Sequence, residues 1–230
     1  MKLDLKQNPK CIGFIMDGNR RFAKENNLPS ELGHAAGKEK LFDVIKWIEA
    51  AAIPHAVFYA FSTENWKRSI EEVEKLMALF EQALDYFLGD PDKDKIIAVR
   101  IVGRKKDFSA KLQEKMRRLE EKSGQQPKLT VWIALSYGGR AEIVDAANEA
   151  IKQGISVTEE SFNKLLWTAE MPDPDLVVRT GGDRRLSNFL PWQSVYSELF
   201  FTDTLWPAFT KDEFTGILND YVTRERRIGK

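Results

Sequence analysis

Cysteine is almost missing from this chain: Cys11 is the one thiol in 230 residues. That excludes an intrachain disulfide and any metal cluster built on cysteines. Histidine is nearly as scarce, with only His34 and His55. An excess of charge is also absent. Lys plus Arg and Asp plus Glu number 35 each, for a formal net charge of zero. Nothing global therefore favours nucleic acid or an anionic membrane, and any anion site must come from local clustering. No apolar run approaches the ~20 residues of a membrane span. The stretch Met1-Lys2-Leu3-Asp4-Leu5-Lys6 lacks the apolar core of a secretory leader, so a cytoplasmic protein is expected. Repeats, low-complexity tracts and linkers are missing too. With 43% hydrophobic and 30% charged residues, positions 1–230 read as a single globular domain.

What is present is an alternation. Apolar runs rich in β-branched residues fall at 11–16, 56–61, 96–102, 129–135 and 176–179, with a weaker one at 199–201. Helical patterns lie at 37–51, 70–88, 109–122, 140–152, 159–168 and 211–226. This predicts an α/β fold, a parallel sheet with helices on its faces. Ligands in such folds bind beyond the carboxyl ends of the strands. Those ends carry Asp17-Gly18-Asn19, Ser62-Thr63-Glu64-Asn65, Gly103-Arg104, Ser136-Tyr137-Gly138-Gly139-Arg140 and Thr180-Gly181-Gly182-Asp183. One cleft lined by all of them is the economical reading.

Four stretches carry chemistry. In Met16-Asp17-Gly18-Asn19-Arg20-Arg21-Phe22-Ala23 a strand ends, a turn follows and a helix opens. A carboxylate there can hold a divalent metal, and the N–H groups of the helix can hold an anion. Arg20 and Arg21 add donors matched to phosphate. The same residues also suit a plain turn. Ser62-Thr63-Glu64-Asn65-Trp66-Lys67-Arg68 gathers many polar types just past a strand, although Ser62 or Thr63 can equally cap a helix and Trp66 simply pack. Arg179, Arg185 and Ser187 flank two glycines and suit a diphosphate; the loop is not a Walker loop. Glu198 stands among aromatics and needs a metal, an arginine or a proton. His34, after Gly33, reads either as a helix-start packing residue or as a phosphate donor; His55 lies at the wrong end of its strand.

Together these stretches resemble the cis-prenyltransferase, or undecaprenyl diphosphate synthase, family. The resemblance rests on residues 16–23, Gly33-His34, residues 59–66, Tyr137-Gly138-Gly139-Arg140, residues 179–189, Trp192-Gln193, Tyr196-Ser197-Glu198 and Leu205-Trp206-Pro207. It implies a central, mostly parallel six-stranded sheet flanked by helices, with an apolar tunnel between them. It implies Mg2+-dependent condensation of isopentenyl diphosphate with an allylic diphosphate, farnesyl or geranyl, to a cis-polyprenyl diphosphate, the usual lipid carrier precursor for cell-wall glycans. Carried over by position, Asp17 coordinates magnesium and Asn65 assists proton removal. Gly18, Asn19, Arg20, Arg21 and Phe22 hold the allylic substrate, with His34 assisting. Ser62, Thr63, Glu64, Trp66 and Arg68 line the site. Arg179, Arg185, Leu186 and Ser187 bind isopentenyl diphosphate, and Glu198 is a second metal-linked carboxylate. Arg227 and Gly229 resemble an Arg-x-Gly tail that reaches a partner's site, which implies a homodimer. Product release implies a passing contact with a membrane surface.

Three positions depart from the family pattern. Cys11 stands where the family usually has His, and Phe22 where it usually has Trp. Ser30 replaces an arginine of the allylic site, which Arg20, absent from many members, offsets in part. Two other readings stay open: a short-chain or irregular terpenoid synthase, and a non-catalytic partner subunit. Trp132 would shorten the tunnel if it faces it and would be core if it faces a helix layer. A trans-prenyltransferase is disfavoured, since no Asp-Asp-x-x-Asp motif occurs.

Overall fold

A computed structural model describes residues 8–89, 97–122 and 127–224. Six strands form one sheet: β1 (Cys11–Ile15), β2 (His55–Ser62), β3 (Ile97–Val102), β4 (Leu129–Tyr137), β5 (Leu176–Arg179) and β6 (Glu198–Phe201). Their spatial order is β3-β4-β2-β1-β5-β6, and every pairing is parallel, as expected of strands separated by helices. From β1 the chain steps one way to β2 and later the other way to β5. A crevice must open at the carboxyl ends of these central strands.

Seven helices connect them among the described residues: α1 (Asn19–Glu25), α2 (Ser30–Ala50), α3 (Ile70–Leu88), α4 (Ala110–Lys122), α5 (Gly139–Gln153), α6 (Glu159–Asn163) and α7 (Lys211–Thr223). Helix α2 starts seven residues earlier than the apolar spacing predicts, because its first turns are polar and face the cleft. Helix α6 stops at Asn163 rather than 168. The backbone N–H and hydroxyl of Thr168 both donate to the Glu142 carboxylate, at 3.0 and 2.7 Å, and draw the chain out of the helix.

The period-two alternation of the strands divides the core. Ile12, Phe14, Phe58, Val131 and Val178 face one side, against α2, α3, α4 and α7. Cys11, Ile15, Val57, Trp132 and Val177 face the other. Trp132 pairs in register with Val57, and its indole N–H points to His55 Nδ1 at 3.4 Å. Its neighbour Ile133 lines the apolar channel on the opposite face. Trp132 therefore does not shorten that channel.

Candidate active site

The loop after β1 sits beside the loop after β5 because the two strands pair, Ile15 opposite Arg179. Arg179 is 4% exposed, and its Nη2 donates to Asp17 Oδ2 at 2.8 Å. Its Nη1 donates to Ser187 Oγ at 2.7 Å and to the Arg185 carbonyl. Arg21 Nη2 lies 3.5 Å from the other oxygen of Asp17. Gly181, at φ 87°, makes room for this arginine: a Cβ there would stand 2.6 Å from Arg21 Nη2. Arg185 is largely exposed and pairs with Asp183 at 2.7 Å.

Asp17, Gly18, Asn19, Arg20, Arg21, Ser30, His34 and Arg68 line one polar cleft. Arg68 Nη1 donates to Glu72 Oε1 at 2.9 Å. Arg20 lies 4.0 Å and His34 Nε2 3.7 Å from the same oxygen. Glu72 thus stands among three basic side chains of the cleft and is hydrogen-bonded to Arg68 alone of these; the sequence reading did not single it out, although its i,i+4 spacing from Arg68 was a signal. Burial lowers the pKa of His34, Arg68 adds to the effect, and Glu72 opposes it. Three buried polar atoms around this spot have no hydrogen-bond partner: Asn19 Oδ1, His34 Nε2 and Arg179 Nε. Unmet groups in a charged cleft mark where a ligand's polar atoms belong.

The cleft leads into a narrow apolar channel between the sheet and helices α2 and α3. Met16, Asn19 and His34 line both. Leu41, Leu76, Phe80, Leu84, Ile101 and Leu135 give the channel its apolar wall.

The turn at 63–67 follows β2, and from this stretch of chain it is Arg68, just beyond the turn, that lines the cleft. Asn65 Oδ1 accepts the Ser62 N–H at 3.0 Å, and Thr63 Oγ1 lies 3.1 Å from Glu64 Oε2. Asn188 Nδ2 donates to Glu64 Oε1 at 2.9 Å, tying this turn to the loop after β5. Trp66 sends its indole N–H to Ser136 Oγ at 2.8 Å, so its polar atom serves the fold. Phe22 lines a separate crevice with Gly181, Gly182 and Leu205. Leu186 packs against the core cluster that includes Phe189.

Glu198 does not join Asp17 within the chain. It opens β6 at the far end of the sheet, opposite Leu176, and Arg224 Nη1 neutralises it at 2.6 Å. Arg227 and Gly229 lie outside the described residues. Sequence reasoning also missed Glu142, which is fully buried and accepts from Tyr137, Thr168 and Gln193. It anchors the chain leading away from Ser187 and Asn188.

No group of three or more His, Cys, Asp or Glu residues among those described can enclose a metal. Asp17 alone suits magnesium nonetheless, because that ion commonly takes one or two carboxylates and completes its shell with phosphate oxygens and water.

Residues 15–229 match the family model described as undecaprenyl diphosphate synthase. An isoprenyl transferase of Thermotoga maritima is 45% identical, over 96% of this chain and 97% of its own length. A tritrans,polycis-undecaprenyl-diphosphate synthase (geranylgeranyl-diphosphate specific) of Pyrococcus abyssi is 40% identical, over 96% and 87%. The crystal structure of lavandulyl diphosphate synthase from Lavandula x intermedia, in complex with dimethylallyl diphosphate, superposes with a TM-score of 0.90 at 29% identity, covering 98% of this chain and all of that one. With its all-parallel sheet, arginine-lined cleft and apolar channel, this chain belongs to the undecaprenyl diphosphate synthase family of prenyltransferases.

Proposed function

We propose that the chain joins isopentenyl diphosphate to an allylic diphosphate and forms a cis-prenyl diphosphate. The observation that carries this is the junction at Met16, Asn19 and His34, where a cationic cleft becomes an apolar channel. A ligand with a diphosphate head and a prenyl tail matches both halves.

Arg20, Arg21, Arg68 and His34 would receive the allylic diphosphate, and Arg179, Arg185 and Ser187 that of isopentenyl diphosphate. Asp17 would hold magnesium together with diphosphate oxygens. The ion supplies charge stabilisation as the diphosphate leaves. The allylic C–O bond breaks and the diphosphate departs with the electron pair. The isopentenyl alkene then forms the new carbon–carbon bond, and a proton is lost from the former isopentenyl unit. Arginines fixed in place stabilise the departing charge without reorganising. The apolar wall keeps water from the allylic cation. Asn65 Oδ1 keeps a second lone pair beyond the one that Ser62 occupies, so it can still accept weakly.

The reading extends to a homodimer. Val144 and Ile151 project from the same face of α5, and Val195 and Tyr196 follow Trp192, which packs with Phe162 beside that helix. These side chains are exposed and apolar, which fits a second copy of the chain. Among the described residues no helix is long and apolar enough to cross a membrane.

The test is incubation of purified protein with radiolabelled isopentenyl diphosphate, magnesium, and dimethylallyl, geranyl or farnesyl diphosphate, with products sized by chromatography. Incorporation into longer prenyl diphosphates is expected. No product with any primer would overturn the reading and favour a non-catalytic partner subunit. Arg185→Ala should raise KM for isopentenyl diphosphate more than for the allylic substrate. The reverse would exchange the two binding sites.

A further inference from the structure

The loop after β3 is one of the strand ends where polar residues gather, yet neither Gly103 nor Arg104 lines the cleft. The loop turns back against the end of β4 instead. Gly103, at φ 118°, allows this: a Cβ there would stand 2.0 Å from the Leu135 carbonyl oxygen. The Arg104 N–H then donates to the Ser136 carbonyl at 3.3 Å, and Lys105 Nζ bonds both oxygens of Glu120 on α4, at 2.7 and 2.8 Å. These contacts bring Asp107 to Ser136, whose hydroxyl donates to Asp107 Oδ2 at 2.5 Å.

The same hydroxyl accepts the Trp66 indole N–H at 2.8 Å. An indole N–H can only donate and a carboxylate can only accept, so the hydroxyl between them has one orientation. Its bond to the carboxylate polarises it and strengthens the bond it accepts. Ser136 is fully buried and holds φ 45°, a left-handed backbone that a serine adopts at a cost. Phe108, next to Asp107, completes the arrangement. Trp66 meets Phe61 edge-on at 4.9 Å and Phe108 at 5.5 Å between ring centroids. Trp66 is thus fixed both through its ring and at its one polar atom.

Trp66 stands inside a short turn with a tie at either end. On one side Glu64 accepts from Asn188, beside Ser187. On the other the Arg68 N–H donates to the Asn65 carbonyl at 3.1 Å, and the Arg68 side chain lines the polar cleft and bonds Glu72 at 2.9 Å. Asn188 secures the first end independently of Trp66, so freeing the indole acts mainly on Arg68.

We propose that Asp107 is a positioning residue: acting through Ser136 it holds the Trp66 indole, and through that ring it sets Arg68 in the diphosphate cleft. Asp107 does not itself line the cleft. Its service to the allylic substrate rests on the prenyl-transfer reading above.

The test reads the indole N–H resonances of isotope-labelled protein and, by calorimetry, its Kd for geranyl diphosphate without isopentenyl diphosphate. The chain has six tryptophans, and the resonance lost in Trp66→Phe identifies Trp66. Asp107→Ala should shift that resonance, and Asp107→Asn, which keeps an acceptor, should leave it nearer its wild-type place. Ser136→Ala should raise Kd by about 3- to 10-fold, the worth of one hydrogen bond, with a smaller rise in Asp107→Ala and wild-type binding in Asp107→Asn. In the Trp66→Phe background Asp107→Ala should add nothing. Asp107 is exposed, so its variants carry the test should Ser136→Ala fail to fold, which a thermal melt reports. The proposal is overturned by a Trp66 resonance indifferent to Asp107→Ala, by an unchanged Kd in that variant, or by the same rise in Kd with and without the Trp66 indole. A wild type that binds geranyl diphosphate but never extends it would sink the prenyl-transfer reading while the variants still judge the positioning role; a wild type that does not bind it would sink both.

Discussion

The Asp17 carboxylate lies between two guanidiniums, Arg179 at 2.8 Å and Arg21 at 3.5 Å, so its substitution has two separable effects. Asp17→Ala should abolish turnover and also lower stability by about 1–3 kcal/mol, because a buried arginine loses its charged partner. Arg179 keeps Ser187 Oγ and Asp183, which limits the loss. Asp17→Asn retains a hydrogen-bond acceptor and should stay within about 1 kcal/mol of wild type while still losing turnover. Denaturant melts beside activity assays check both, and an active Asp17→Asn would remove the metal role. His34 gives a pH prediction. Burial holds its pKa below the ordinary ~6.5, so the unfolded chain takes up this proton at a higher pH than the folded one. The stability due to neutral His34 is present above that ordinary value and is lost as pH falls beneath it. His34→Gln, which cannot titrate, should lose less stability than wild type between pH 8 and 5.5. Because anions favour the imidazolium, inorganic diphosphate should bind wild type more tightly at the lower pH and His34→Gln with a weaker dependence.

At the scale of elements, the crossing of α1 and α2 positions the cleft. A Cβ on Gly33 would stand 2.1 Å from the Asn19 carbonyl oxygen, and one on Gly37 would stand 2.2 Å from Asn19 Oδ1. Gly33→Ala should therefore force the helices apart, at about 1–3 kcal/mol. Because α1 carries Asn19, Arg20 and Arg21, KM for the allylic substrate should rise more than KM for isopentenyl diphosphate; equal changes would mean that the crossing serves stability alone. Much of this frame was legible in the sequence. Asp17, Arg20, Arg21 and Arg179 stand at strand ends, and strand–helix alternation sends those ends to one edge. What alternation cannot give is which strands are neighbours, so the contact of Asp17 with Arg179 emerges only from the β1–β5 pairing. Nor can a period of two say which face meets which layer, which left Trp132 undecided until its register with Val57 was seen. Glu142 was invisible for a different reason. A buried carboxylate leaves little local pattern when two of its three partners, Thr168 and Gln193, lie 26 and 51 residues away.

On the scale of the whole molecule, the sheet has two unlike edges. At one, β3 pairs with β4; at the other lies the short β6, preceded by Val195 and Tyr196, which are 68% and 72% exposed. An open strand edge bordered by exposed apolar groups invites pairing with another chain. Ile151, 77% exposed on α5, widens the same side of the fold, and Glu198 sits there with its charge already met by Arg224. Association through this side would bury Val144, Ile151 and Tyr196 while leaving the cleft at the carboxyl ends of β1 and β5 open to substrate. The wild type should therefore sediment as a dimer, and Ile151→Glu combined with Tyr196→Asp should sediment as a monomer, since each places a charge where an apolar contact is needed. Both side chains are exposed in the single chain, so the double variant should keep its fold and its far-ultraviolet circular dichroism. A double variant that stays dimeric would move the interface elsewhere. A folded monomer that still elongates prenyl diphosphates at the wild-type rate would show that one chain completes its own active site.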